Sequence, residues 1–137
     1  MKTYPCVSFL LIRNNQVLLE KRSLLKESDP GLIAIPGGHM EEGETQAQTL
    51  KREIDEELGV RALTRYFLCS LYHAASTELQ LIHYYVIGDW QGDIKAFEAD
   101  EVFWVNLGDA QIDIEADRIA LSEYVRIKDV LEERIST

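Results

Sequence analysis

Apolar positions along the chain follow two different periods, and the switch between them divides the sequence into elements. Cys6 to Arg13 and Val17 to Arg22 are β-rich runs, joined at Asn14-Asn15, a dipeptide suited to a tight hairpin turn. Ser23 to Gly31 mixes charge, Ser, Pro and Gly and reads as a loop. Leu32 to Ile35 predicts a short strand that stops at Pro36-Gly37-Gly38. The period then changes: Ala47, Leu50, Ile54 and Leu58 recur at helical spacing. Thr45-Gln46-Ala47-Gln48 fits a capping box at the start of this helix, and Gly59 stands where a C-cap glycine is expected. Further on, Leu63 to His73 and Leu79 to Gly88 predict two long strands paired across Ala74 to Glu78, and Glu101 to Asn106 a shorter one. Ala116 to Ile135 reads as a second amphipathic helix, with Ala120, Tyr124, Ile127 and Leu131 along one face. Strands, helix, strands, helix is an α/β order whose natural solution is a sheet packed between helices. No repeat, low-complexity stretch or linker interrupts it, so residues 1–137 are expected to form one domain.

Composition narrows the classes of function. An apolar fraction of 46% with 28% charged residues is that of a soluble globular protein. No apolar run reaches the roughly 18 residues that span a bilayer, and no signal-peptide core precedes the first strand, so a cytoplasmic protein without a membrane partner is expected. Cys6 and Cys69 stand alone inside apolar runs, form no Cys-x-x-Cys pair and read as buried thiols. The net charge of −10 argues against a nucleic-acid polymer, whose phosphates need Lys and Arg clusters. A small phosphorylated substrate is compatible with such acidity if a metal bridges the two.

The first helix carries the residues for that bridge. Glu53, Glu56 and Glu57 sit at i, i+3 and i+4, and so share a face beside the apolar stripe. A solvated acidic face is the ordinary reading of such a run. Like charges at this spacing repel, however, unless a cation joins them, and oxygen-only ligands suit a hard ion such as Mg²⁺ or Mn²⁺. Arg52 lies four residues before Glu56, and its planar fork could hold a carboxylate by two hydrogen bonds.

The full segment from Gly38 to Val60 is Gly38, five residues, Glu44, seven residues, Arg52-Glu53-Ile54, one residue, Glu56-Glu57, one residue, Gly59-Val60. It resembles, at every fixed position, the box of the Nudix hydrolases, and Pro36-Gly37 resembles the family's lead-in. The resemblance implies an α/β/α sandwich with a mixed sheet. It also implies water attack on a nucleoside diphosphate linked to another group, with Mg²⁺ or Mn²⁺ as cofactor. It assigns metal binding to Glu53, Glu56 and Glu57, aided by a main-chain carbonyl at Gly37 or Gly38, and an orienting role to Arg52 and Glu44. Glu53 is the first choice for base or metal ligand. Glu98 and Glu101 lie where many members carry a further catalytic glutamate. Arg22 resembles a position that contacts substrate phosphates, and His39, without a partner histidine at ligand spacing, is a candidate phosphate contact. His73 and His83 read as sheet residues.

Trp90-Gln91-Gly92, Trp104 and the short chain resemble the MutT-type branch, which converts a nucleoside triphosphate to monophosphate and pyrophosphate. Ile33 replaces a tryptophan often found three residues before the box's proline. Phe67, Tyr72, Tyr84 and Tyr85 could stack a base, but their alternating positions favour core. An ADP-ribose or dinucleotide hydrolase, a cap-type hydrolase and a non-catalytic nucleotide-binding module are the other readings. An isoprenoid diphosphate isomerase would need a cysteine in the cleft. Self-association into a homodimer is left open.

Overall fold

The computed structural model describes residues 2–136, with side chains in the last helix as far as Glu132. Its elements are β1 (Thr3–Arg13), β2 (Gln16–Lys21), β3 (Ile33–Ala34), β4 (Gly37–His39), α1 (Gln46–Leu58), β5 (Arg61–Ala62), β6 (Tyr66–Ala74), β7 (Leu79–Ile87), β8 (Trp90–Gln91), β9 (Glu101–Asn106) and α2 (Glu115–Ser136).

The β1–β2 hairpin turns at Asn14 and Asn15, both with positive φ (51° and 62°), as a primed turn requires. Helix α1 begins with the reciprocal cap expected at Thr45: its hydroxyl accepts from Gln48 N at 3.1 Å, and Gln48 Oε1 accepts from Thr45 N at 2.9 Å. Such a cap is worth about 1 kcal/mol. The helix ends on Gly59 in the left-handed region at φ 70°, with its N–H on Asp55 O.

The main sheet runs in the order β3-β2-β1-β7-β6, with β9 on β2 and β4 on β1. Only β1 and β7 pair in parallel, so the sheet is mixed. Strand β1 is its spine. Phe9 and Leu11 point to the α1 side, where they join Leu18, Leu50, Ile54, Leu58 and Ile87. Cys6 and Leu10 point to the α2 side, among Ile35, Ile82, Tyr84, Ala120 and Tyr124. Fully burying each aliphatic side chain contributes roughly 1.5–3 kcal/mol. The two cores make the α/β/α sandwich.

Four details differ from the sequence reading. Gly37–His39, where the preceding strand is expected to stop, is itself a strand on β1. The strand expected from Leu63 starts at Tyr66, because Arg61 and Ala62 pair with β8 and Leu63 N donates to Asp89 O at 2.9 Å. Phe67 and Tyr72 are exposed rather than core, since they lie on the open face of β6 at the sheet edge. Cys69, on the same strand, is only partly buried. No helix of the described residues is long and apolar enough to cross a membrane.

Candidate active site

A cleft of about 460 Å³ opens where the sheet divides. Strand β1 pairs with β2 only at Ile12 and Arg13, and takes β4 as its neighbour at Cys6, Val7 and Ser8. Side chains from α1, β4, β7, the Arg22–Gly31 loop and the start of α2 line the gap.

Helix α1 presents its acids unequally. Four residues overshoot one turn by about 40° and three fall short by about 60°, so Glu57 stays above Glu53 while Glu56 swings outward. Accordingly Glu53 and Glu57 are buried, at 7% and 4% exposure, and Glu56 is exposed. Among the described residues, the three carboxylates do not converge on one point to within 4.8 Å. The single acidic face expected from the spacing is therefore two acids in the cleft and one at its lip.

Arg52 fixes this arrangement. Its Nε and Nη2 donate to the two oxygens of Glu44 at 2.8 and 2.9 Å, a bidentate pair. Nη1 donates to Glu53 Oε1 at 2.8 Å and Glu56 Oε2 at 3.2 Å, and Nη2 also reaches His39 O at 3.0 Å. The guanidinium holds the Glu44 carboxyl down at about 2. Glu44 in turn accepts from Thr49 Oγ1 and Glu41 N, tying the loop to the helix. Opposite, Gly38 pairs with Val7 and turns its Cα toward α1; a Cβ there would lie 2.2 Å from Glu53 Cδ. Only glycine leaves Glu53 in place.

Burial raises the pKa of both cleft acids. For Glu53 the Arg52 hydrogen bond works against burial. For Glu57, burial is reinforced by the charges of Glu20 and Glu98, and the hydrogen bond it shares with Glu98 leaves the proton on Glu57. Glu98 is itself shifted down: burial is outweighed by its bonds with Lys26, whose Nζ lies at 3.1 Å, and Glu57. Of the two loop glutamates, Glu98 lines the cleft, while Glu101 lies in the β2–β9 ladder opposite Lys21. Two buried carboxyls held above their ordinary range, Glu53 even with Arg52 beside it, form a hard-oxygen donor set that a divalent ion would stabilise in the charged form.

Arg22 lines the cleft, but its fork is committed. Nε and Nη2 donate to the carbonyls of Ser28 and Asp29, and Nη1 lies 3.5 Å from Glu20. His39 reaches the rim, where Nε2 contacts Glu78. His73, read as a sheet residue, bonds Asp29 at 2.8 Å, while Ser28 and Asp29 bond Thr77 and Ser76; together these latch the loop to the β6–β7 turn. His83 pairs with Ser70 outside the cleft. Cys6 also faces the cleft, yet burial, with Glu78 and Glu53 nearby, pushes its thiol up to about 12. At neutral pH it is not the nucleophilic thiolate an isomerase would need.

Two buried acids were not singled out from sequence. Glu20 shares the α1-side face of β2 with Leu18, and burial lifts it to about 7. Asp117, at the base of α2, accepts from Tyr84 Oη at 2.6 Å and Ile35 N at 2.9 Å, and burial lifts it to about 6. Glu20 could be suspected only as a charge inside an apolar run, and Asp117 gave no local signal.

Comparison with known proteins agrees with this geometry. A family model described as NUDIX domain matches residues 2–125. A CTP pyrophosphohydrolase of Escherichia coli is 30% identical over 104 residues, 76% of this chain and 76% of that protein. An 8-oxo-dGTP diphosphatase of Haemophilus influenzae is 33% identical over 97 residues, 69% of this chain and 71% of that one. The crystal structure of a MutT NUDIX hydrolase from Burkholderia pseudomallei superposes with a TM-score of 0.81, covering 90% of this chain and 98% of its own at 24% identity, and so shares the fold.

Proposed function

The chain belongs to the Nudix family of hydrolases, which act on phosphoanhydride bonds, and we propose that it converts a nucleoside triphosphate to the monophosphate and pyrophosphate. The observation that carries the proposal is the lining of one cleft. Acids Glu53, Glu57 and Glu98 gather at one part of it, and an apolar end is built from Ile35, Ile82 and Ile114 with Asp117 beside them. A polyphosphate suits the acids once a metal bridges the two, and a nucleobase suits the apolar residues. The relatives named for CTP and 8-oxo-dGTP hydrolysis support the same class.

In this reading Glu53 and Glu57, with the main chain at Gly38 and with Glu56 at the lip, hold Mg²⁺ or Mn²⁺. The bound ion would neutralise phosphate charge and acidify a nearby water. The chain's own residues do the rest. Arg52 holds Glu53 through Oε1, which leaves Oε2 free of that bond to act as proton acceptor. Glu98, on the cleft wall beside Glu57, is a further acid at the metal site. Lys26, on the loop at the mouth, is the cation best placed to exchange Glu98 for a phosphate. Arg22 shapes that loop rather than contacting phosphate, and His39 stands at the rim.

Phosphorus NMR of turnover in ¹⁸O-water tests the proposal. Label in the nucleoside monophosphate with unlabelled pyrophosphate supports it. Orthophosphate as first product, or rapid cleavage of ADP-ribose with no triphosphate turned over, refutes it.

A further inference from the structure

A second group of metal-binding side chains lies on the cleft wall, away from the α1 acids. In the antiparallel β1–β4 ladder Cys6 stands directly opposite His39, so their side chains share a face. In the parallel β1–β7 ladder Cys6 stands beside Ile82. Alternation along β7 then carries that same face through Gln80 to Glu78, just before the strand begins. Three strands therefore bring a thiol, an imidazole and a carboxylate together. Sulfur, ring nitrogen and carboxylate oxygen lie within 4.8 Å of one another, and among the described residues no other group of three or more His, Cys, Asp or Glu does this.

We propose that Cys6 Sγ, His39 Nε2 and a Glu78 carboxylate oxygen form a binding site for a thiophilic divalent cation of the zinc class. Tetrahedral coordination at bond lengths of about 2.0–2.3 Å separates donor atoms by roughly 3.3–3.8 Å, so His39 and Glu78, in direct contact with each other, must part to admit an ion. His39 is exposed and Glu78 half-buried, and both can supply that movement beside the buried Cys6. Their orientation is already supported. Gln80 Nε2 donates to Glu78 Oε2 at 2.9 Å, and the His39 ring meets Tyr4 edge-on at 6.2 Å between centroids. A soft sulfur donor selects against Mg²⁺, which seeks oxygen alone, so the two sites sort their ions by chemistry. Three protein donors leave the fourth position of a tetrahedral ion open, and all three residues line the cleft. Water or a phosphate oxygen is the class of ligand that fits it.

Titration of the full chain with Co²⁺ in excess Mg²⁺, followed by absorption, tests the site. The expected result is one equivalent bound with a thiolate-to-cobalt charge-transfer band in the near ultraviolet, displaced by stoichiometric Zn²⁺. Cys6→Ser should abolish the band, and Cys69→Ser and Glu57→Gln should keep it. His39→Gln and Glu78→Gln, both at solvent-accessible positions, should each weaken Co²⁺ binding by about tenfold or more, which preserves the test if Cys6→Ser fails to fold. Absence of a thiolate band, its survival in Cys6→Ser, indifference to both rim substitutions, or its loss in Glu57→Gln would each overturn the proposal.

Discussion

Gly38→Ala separates the geometry of the site from the stability of the fold. The added methyl would sit 2.2 Å from Glu53 Cδ and 2.3 and 2.4 Å from its two oxygens. Carbon contacts are comfortable from about 3.5 Å, so the carboxylate must retreat by roughly 1 Å. The three nearest atoms all belong to that carboxylate, the end of a side chain, so the backbone is expected to survive. A displacement of that size at a reacting group costs on the order of 100-fold. The expected outcome is kcat for pyrophosphate release from the best triphosphate down about 100-fold, KM changed little, and a melting temperature close to the parent's. Gly37→Ala is the matched contrast. Its methyl would meet Val7 O at 2.2 Å and Ser8 Cα at 2.9 Å, main-chain atoms of β1 that cannot turn aside. It should lose about 1–3 kcal/mol of stability or more, seen as a lower melting temperature. Parental kcat in Gly38→Ala, or equal melting losses in both variants, would refute the argument that Gly38 exists to seat Glu53.

Glu57→Gln removes a charge while keeping volume, so the fold should persist and kcat should fall by orders of magnitude in steady-state assays; Glu41→Gln and Glu42→Gln, in the loop, should stay within a few-fold. Exhaustive chelation should abolish turnover and added Mg²⁺ or Mn²⁺ restore it, and full activity in chelator would overturn the metal assignment. Stability of the metal-free protein should depend on pH in a defined sense. Glu20 and Asp117 titrate at about 7 and about 6 when folded, above the ordinary carboxyl value near 4. Their stabilisation is complete below about pH 4 and lost as pH rises through about 7, whereas that of Glu44, held at about 2, is lost as pH falls toward 2. Calorimetric melting temperature should peak on the mildly acidic side, and Glu20→Gln should flatten its decline from about pH 5 to 8.

Much of this was legible because local chemistry dictated it. The Thr45 box and Gly59 fixed α1 to the residue, Asn14-Asn15 fixed the hairpin, and the apolar run Val102 to Val105 marked the strand from Glu101 to Asn106. The box spacing also identified the helix that carries the acids. Where tertiary pairing decides, the sequence was silent. Gly37-Gly38-His39 has the composition of a turn, and only the open edge of β1 makes it a strand. Glu20 follows Val17-Leu18-Leu19, buried on both faces, so alternation could not say that it points toward Glu57. Asp117 is an ordinary acid in a first helical turn until α2 docks and buries it under Ile35 and Tyr84. Cys6, His39 and Glu78 become neighbours only when β1 is flanked by β4 and β7.

That spine has a consequence for how the chain acquires its structure. Six consecutive residues of β1, Cys6 to Leu11, are buried, yet the hairpin with β2 secures only the far end at Ile12 and Arg13. Strand β4 joins the same edge at Cys6 to Ser8, and the other edge waits for β7, since Thr3 pairs with Leu79 and Leu11 with Ile87. Contacts of such sequence separation slow folding, because the loop must close before they form. During synthesis, β1 leaves the ribosome as an apolar ribbon with a bare edge and stays so until Leu79–Ile87 has emerged. Among the strands described it is made early and satisfied late, and over that interval its bare edge invites misassociation.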